Sequence, residues 1–460
     1  MANKSLITNG AFVSEVEQVY YAPSVVIPPN LDTKLNTLYC FLANVQPWEV
    51  DTDPPIPQQD VKSLKSIYKN IFAVAKLTTN DISPVVYRID WSPNTKYDFY
   101  RDDVDMVAVD ENGRLIRSFY IKNRYDQVFK CLWNNNDGLS TVEPYFEPGS
   151  YNTNNIFQSN DDYKWKYMYT IDAGSKLKFM DNTWMPVPVG KNIPNPFSAA
   201  KAGSIDVINV TYGGALYDPA NGAITVTVTG DGTGATATAV VKEGENKISD
   251  IIVTNPGSNY TYANVSISST YGFAASTIAP TSPIGGHGFD PISELGCRHA
   301  MMSVEFNGSE NGIIPTDITY HQVGLIMSPT LNSLKTQANY TPASGNIYKT
   351  TTSFQVSPGF NQFVSGEIIY QGESVENATF AGTILTFNVT TNVVEVLNMS
   401  GTPTLNAQIK GKTSTTSRTL LSYTPPDFAL FSGYINYIEN RAGVQISADG
   451  IEQFKFVLGF

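Results

Sequence analysis

YDQVFKCLWNNNDGLSTVEP (residues 125–144) and DDYKWKYMYTI (161–171) decide the fold of this chain. The first run is rich in aromatic and branched residues and stops at Asn134, Asn135, Asn136, Asp137 and Gly138, the composition of a strand entering a turn. In the second run Tyr163, Trp165, Tyr167, Tyr169 and Ile171 alternate with Lys164, Lys166, Met168 and Thr170. Side chains of a strand point alternately to its two faces. The pattern therefore predicts an antiparallel strand with one aromatic face on a core, and a lysine-bearing face toward solvent or a neighbour.

Working outward, the whole chain has this β-rich character. It has 460 residues, room for several domains with their own cores. Charged residues are 16% and aromatics 12%, with 26 Tyr and 34 Gly. Low charge with many Tyr, Thr and Gly suits strands joined by loops. The expected class is mainly β (a β-rich α+β chain): several domains, antiparallel sheets around a β-sandwich core, a few helices and two small inserted all-β modules. The net charge of −12 leaves no basic face for nucleic acid. No stretch approaches the ~20 apolar residues of a membrane span, so no membrane insertion is expected, and the first residues lack the apolar run of a secretion signal. Cys40, Cys131 and Cys297 lie far apart and read as free thiols of a reducing cytoplasm.

In chain order, residues 1–35 read as an extended arm broken by Pro23, Pro28 and Pro29. Residues 38–42 (LYCFL) read as a buried strand. Asp60 caps a helix whose apolar stripe is Val61, Leu64, Ile67, Tyr68, Ile71 and Phe72. Residues 85–89 read as a strand, and 106–109 with 115–121 as a hairpin. The acidic residues Asp98, Asp102, Asp103, Asp105 and Asp110 lack the order of a calcium loop and read as a solvated loop. Residues 36–202, 271–350 and 419–460 are expected to form one main domain.

Two segments interrupt it. From 203 to 270 the chain is Gly, Thr, Ala, Val and Asn, and it repeats itself with an offset of 43 residues. Val210-Thr211 aligns with Val253-Thr254, Gly214 with Gly257, and Tyr217 with Tyr260. The Gly-rich run 230–234 lies between two alternating stretches, without the following helix a phosphate loop needs, and reads as a β-turn. From 351 to 418, short strands separated by Gly372, Gly382 and Gly411 suggest a small barrel.

Several motifs together resemble the baseplate wedge proteins of T4-type contractile-tailed bacteriophages (myoviruses), the gp8-like group. They are Val128-Phe129-Lys130-Cys131-Leu132, Ser140-Thr141-Val142-Glu143-Pro144 and Lys164-Trp165-Lys166-Tyr167-Met168-Tyr169-Thr170. Later come His287-Gly288-Phe289-Asp290-Pro291 with Glu294-Leu295-Gly296, then Gln322-Val323-Gly324-Leu325-Ile326, and Tyr437-Ile438-Glu439-Asn440-Arg441. The resemblance covers roughly 35–200 and 285–460. Where the family pattern has P-V-x-R and D-Q, this chain carries Gly443, Ile446 and Gly450. The resemblance implies a structural virion protein, assembled in the host bacterial cytoplasm. It would be a homodimer that bridges other wedge proteins and rearranges on tail contraction. It implies no catalysis and no cofactor or metal, and the motif residues are read as structural. His287 and Asp290 are expected to pin a loop by hydrogen bonds. The competing class is a tail protein that binds or cleaves carbohydrate, with its aromatic faces and scattered carboxylates as the means.

Overall fold

The computed structural model describes residues 4–7, 38–111, 113–147, 155–188, 201–242, 244–310, 313–332 and 347–459. The expected arm therefore lies outside the described residues, apart from the strand Lys4–Ile7. The chain is mainly β, in several antiparallel sheets, with three α-helices among the described residues. It divides into two compact units, Met1–Ile82 with Met302–Phe456, and Ser83–Met301 with Val457–Phe460. The single main domain read from sequence is thus divided after Ile82 and again after Met301.

The first unit holds a six-stranded antiparallel sheet. Its order is Lys4–Ile7, Tyr434–Gln445, Thr319–Met327, Leu38–Ala43, Ile71–Lys76, Ile347–Lys349. The helix Val61–Asn70 is capped by Asp60, whose carboxylate accepts N–H bonds from Lys62 and Ser63, both 3.0 Å. Leu64, Ile67 and Tyr68 pack on Tyr39, Phe41 and Val74 of the sheet. The expected stripe is longer than the real one. Val61 is exposed, and Ile71 turns extended and opens the strand Ile71–Lys76 with Phe72. Six residues, IFAVAK, with a sheet neighbour on either side satisfy more backbone as a strand than as a last helical turn.

The same unit contains a closed antiparallel barrel. Its order is Thr352–Val356, Val393–Gly401, Phe380–Asn388, Ile368–Gln371, Gln408–Gly411, Ser417–Thr424. Phe354, Ile369, Phe380, Ile384, Val396 and Leu420 fill it, and closure removes the open edges a lone sheet would present. The barrel runs past residue 418, because Ser417–Thr424 is the strand that closes it onto Thr352–Val356.

In the second unit the 125–171 stretch forms the centre of a four-stranded sheet. The order is Tyr120–Lys122, Gln127–Trp133, Lys164–Thr170, Ile156–Gln158. A bulge leaves Met168 extra, since Val128 pairs with Tyr169 but Phe129 pairs with Tyr167. The alternation breaks there. Tyr163, Trp165 and Tyr167 pack with Tyr97, Phe129 and Cys131, whereas Met168, Tyr169 and Ile171 join a second core with Phe119, Tyr120 and Val128. The hairpin expected at 106–121 reduces to one bridge, Val109 to Leu115, and the strand Tyr120–Lys122. The strand expected at 85–89 is Ile82–Tyr87.

The repeat builds a module of six strands. Asn209–Ala215, Thr225–Gly230 and Thr233–Lys242 come from the first copy; Lys247–Ser258, Ala263–Ser268 and Phe273–Ile278 come from the second. The first strand of each copy pairs with the third of the other, and the two middle strands pair together. The two halves match in register. Ala215 faces Phe273 as Ser258 faces Thr233, and Gly213 faces Ala275 as Pro256 faces Ala235. A bulge at Thr211 recurs at Thr254. Tyr217 packs against Gly272 and Tyr260 against Gly232, where an added Cβ would come within 2.2 Å and 2.4 Å of the rings. The module therefore extends beyond residue 270, because Phe273–Ile278 is the missing partner of Asn209–Ala215. FAASTI shows too little hydrophobic alternation to announce itself as a strand.

Candidate functional site

The motif residues of the second unit converge on a buried ionic cluster. Lys130 and Lys166 stand directly opposite each other on neighbouring strands, an arrangement that like charges disfavour unless countered. The counter-charge comes from far along the chain. Glu294 closes the short helix Pro291–Glu294, which Asp290 caps through the Ser293 N–H at 3.3 Å. Lys130 Nζ donates to Glu294 Oε2 at 2.7 Å and lies 3.0 Å from His287 Nδ1. Glu294 Oε1 accepts the N–H groups of Gly288 at 2.7 Å and Asp290 at 3.3 Å. Tyr100 caps the group: its ring lies 4.3 Å from Lys130 Nζ and meets His287 edge-on at 4.8 Å. Exposure of the three side chains is 1% for Lys130, 2% for His287 and 3% for Glu294.

Burial sets the electrostatics. It opposes ionisation of Glu294, but Lys130 and His287 outweigh it and hold the carboxyl at about 2. Burial pushes Lys130 below the usual lysine range against the pull of Glu294, and takes Lys166 down to about 8. His287 is lowered by burial and by Lys130 beside it. Asp206 adds a favourable field at all three of these bases.

Of the two expectations for the lysine face, solvent or a neighbour, the structure shows a neighbour. Lys164 Nζ pairs with Asp250 at 2.7 Å and donates to the Ile208 carbonyl at 3.3 Å. Asn209 Nδ2 donates to the Leu132 carbonyl at 3.0 Å, and Asn136 Nδ2 to that of Val210 at 3.2 Å. The repeat module is thus seated on this face by polar contacts. Its entry and exit lie together, with the Ser282 N–H bonded to the Ser204 carbonyl at 2.9 Å.

The remaining motif residues serve the cores. Cys131, Leu132 and Trp165 have no exposed surface, and Trp165 stacks on Tyr163. Tyr167 stacks on Phe146, and Tyr169 donates its hydroxyl to the Pro186 carbonyl at 3.1 Å. In the first unit, Tyr437, Glu439 and Arg441 share one face of a strand. Glu439 accepts from the Tyr437 hydroxyl at 3.0 Å and pairs with Arg441 at 2.7 Å. Asn440, on the other face, accepts from Gln322 Nε2 at 2.6 Å and donates to the Pro55 carbonyl at 2.8 Å. His321 bridges Asp51 and the Asn44 carbonyl, both at 3.1 Å.

His287 contributes to pinning its loop through Lys130, and Asp290 by capping the turn. Glu294, which sequence reasoning left as a motif position without a role, is the hub. Its only signal is a carboxylate two residues before Gly296, at the end of the short turn Pro291-Ile292-Ser293-Glu294. Tyr100 and Asp206 carry no signal that reaches across such separations. The acidic residues at 98–110 do not converge. Asp98 accepts from the Ser118 N–H and Asp102 from Thr281, while Asp103 pairs with Arg101. Among the described residues no three His, Cys, Asp or Glu side chains are grouped to hold a metal. No described helix is long and apolar enough to cross a membrane. The three cysteines are free thiols. Compared with protein-family models and with curated proteins, the chain matches none.

Proposed function

We propose that the chain is a structural virion protein, a wedge subunit of a contractile-tail baseplate. It works as a homodimer that bridges neighbouring wedge proteins, rearranges on contraction and carries no catalysis. The motifs at 128–144, 163–170, 287–296 and 437–441 support this reading. One observation carries it: the charged motif residues are spent on internal pairs, Lys130 with Glu294 buried in one unit and Glu439 with Arg441, partly buried, in the other. Such pairs hold loops and strands in one geometry, which a load-transmitting subunit needs, rather than presenting reactive groups to a substrate. Immunogold labelling of contractile-tailed particles made from the genome that carries this gene tests it. Label at the distal end of the tail is expected; a chain missing from purified particles refutes the proposal.

One feature favours the second reading, a tail protein that binds or cleaves carbohydrate. Tyr125 and Tyr145 are exposed, 4.9 Å apart, with Arg124 beside them. Binding to host surface glycans that is lost in Tyr125→Ala would put that reading first.

A further inference from the structure

His321 of the first unit stands at an irregularity between two strands. Tyr320 faces Val444 and Gln322 faces Asn440, so Arg441, Ala442 and Gly443 bulge out opposite His321 alone. The bulge frees backbone groups from the ladder, and the loop that follows Ala43 takes them up. The Arg441 carbonyl accepts from Trp48 Nε1 at 2.9 Å, and the Gly443 N–H donates to Asp51 Oδ2 at 3.0 Å. Asp51 Oδ1 also accepts the Trp48 N–H at 3.3 Å. A Cβ added at Gly443 would lie 2.7 Å from His321 Nε2 and 3.1 Å from Asp51 Oδ2. Ring and carboxylate thus close over the one residue type that has no side chain.

The imidazole completes this clasp with both of its nitrogens. Nε2 lies 3.1 Å from Asp51 Oδ1, and Nδ1 lies 3.1 Å from the Asn44 carbonyl, which also accepts the His321 N–H at 2.8 Å. Carboxylate and carbonyl oxygens are both acceptors. A neutral imidazole has one N–H and one lone pair, whereas the cation has two N–H groups. In the neutral ring one nitrogen would turn its lone pair on an oxygen, and at 3% side-chain exposure such a mismatch is costly. Asp51 supplies the counter-charge. The Gly443 N–H, with Trp48 and His321 adding to it, holds its carboxyl below the usual range. Glu49 and Asp53 of the same loop are exposed. On the neighbouring strands Glu439 and Arg441 pair with each other, and Glu452 accepts from Tyr320.

We infer that His321 carries a proton on both ring nitrogens in the folded chain and acts as a latch, holding the loop 44–55 in the bulge until the second proton leaves. A fold that favours the charged form of a base gains stability that is present at low pH and lost as pH rises. The latch therefore opens on the alkaline side, the reverse of His287, whose charging opposes the fold. It works whether or not the chain is a baseplate subunit.

The full chain labelled with ¹⁵N-histidine tests this, since it holds only three histidines; the signal missing from His321→Gln assigns the ring. At about pH 7, where a histidine in water is mostly neutral, both His321 nitrogens are expected at imidazolium positions. Between about pH 7 and about pH 10 the ring should turn neutral, and hydrogen exchange over 44–55, corrected for its intrinsic pH dependence, should quicken about tenfold or more in step with it. In His321→Gln, exchange over 44–55 should be fast already at pH 7 and show no such step, while Gln127–Trp133 in the other unit keeps its protection. The first two readings need no variant. A neutral ring at pH 7, a ring still charged at pH 10, exchange that stays slow once the ring is neutral, or the same step in His321→Gln would overturn the latch.

Discussion

At the scale of single residues, the most informative feature is that Lys130, Glu294 and His287 satisfy one another out of water. Removing one partner from such a pair leaves a buried charge uncompensated. Lys130→Met is therefore expected to destabilise the second unit by about 3–5 kcal/mol, while Lys130→Met with Glu294→Leu should cost much less. Chemical denaturation of the single and double variants measures this; additive losses would contradict the pairing. The protonation shifts make a second, signed prediction. Glu294 is held at about 2 against an ordinary 4.5, so its stabilisation is complete above 4.5 and disappears as pH falls toward 2. His287 is lowered from 6.5, so its folded form loses ground as pH falls below 6.5. Lys166 stands at about 8 against 10.5, so stability gains as pH rises from 8 to 10.5. All three act in one direction. Hydrogen-exchange protection of the strand Gln127–Trp133 should rise with pH through these windows, and Lys166→Met should reduce only the alkaline part, leaving the share that the lowered Lys130 contributes.

At the scale of elements, the repeat module and the sheet it covers depend on each other. Its ends meet at Ser204 and Ser282, so excising 205–281 with a short Gly linker closes no long loop. The remainder should still unfold cooperatively, but at lower temperature, because Lys164 loses Asp250 and the lysine face loses its cover. Scanning calorimetry reads the first effect, and faster acetylation of Lys164 and Lys166 the second. Unchanged acetylation would mean the module does not shield this face. The helix Val61–Asn70 offers a smaller test: Asp60→Ala removes two N-terminal hydrogen bonds and should lower the denaturation midpoint of the first unit without changing that of the second.

At the scale of the whole molecule, two units with separate cores predict two calorimetric transitions rather than one. Lys130→Met should lower only one of them. The proposed homodimer predicts a sedimentation coefficient for twice the 50.4 kDa chain at micromolar concentration. A monomer there would remove the dimer from the proposal.

Much of this architecture was legible in the residues themselves. Local periodicity placed the strands around Lys130 and Trp165, turn composition placed their boundaries at Asn134–Gly138, and self-similarity exposed the doubled Tyr217 and Tyr260. Alternation tells which side chains share a face, but not whether something covers that face, so solvent and a neighbour stayed open for Lys164 and Lys166, and the repeat module is what lies there. Nor does it foresee a bulge, which moved Tyr169 away from Trp165. The exchange of strands between the two repeats, the meeting of Lys130 with Glu294, and the division after Ile82 were decided only in three dimensions. Backbone and side-chain preferences act over a few residues, whereas burial and charge compensation join whichever residues the packed chain brings together.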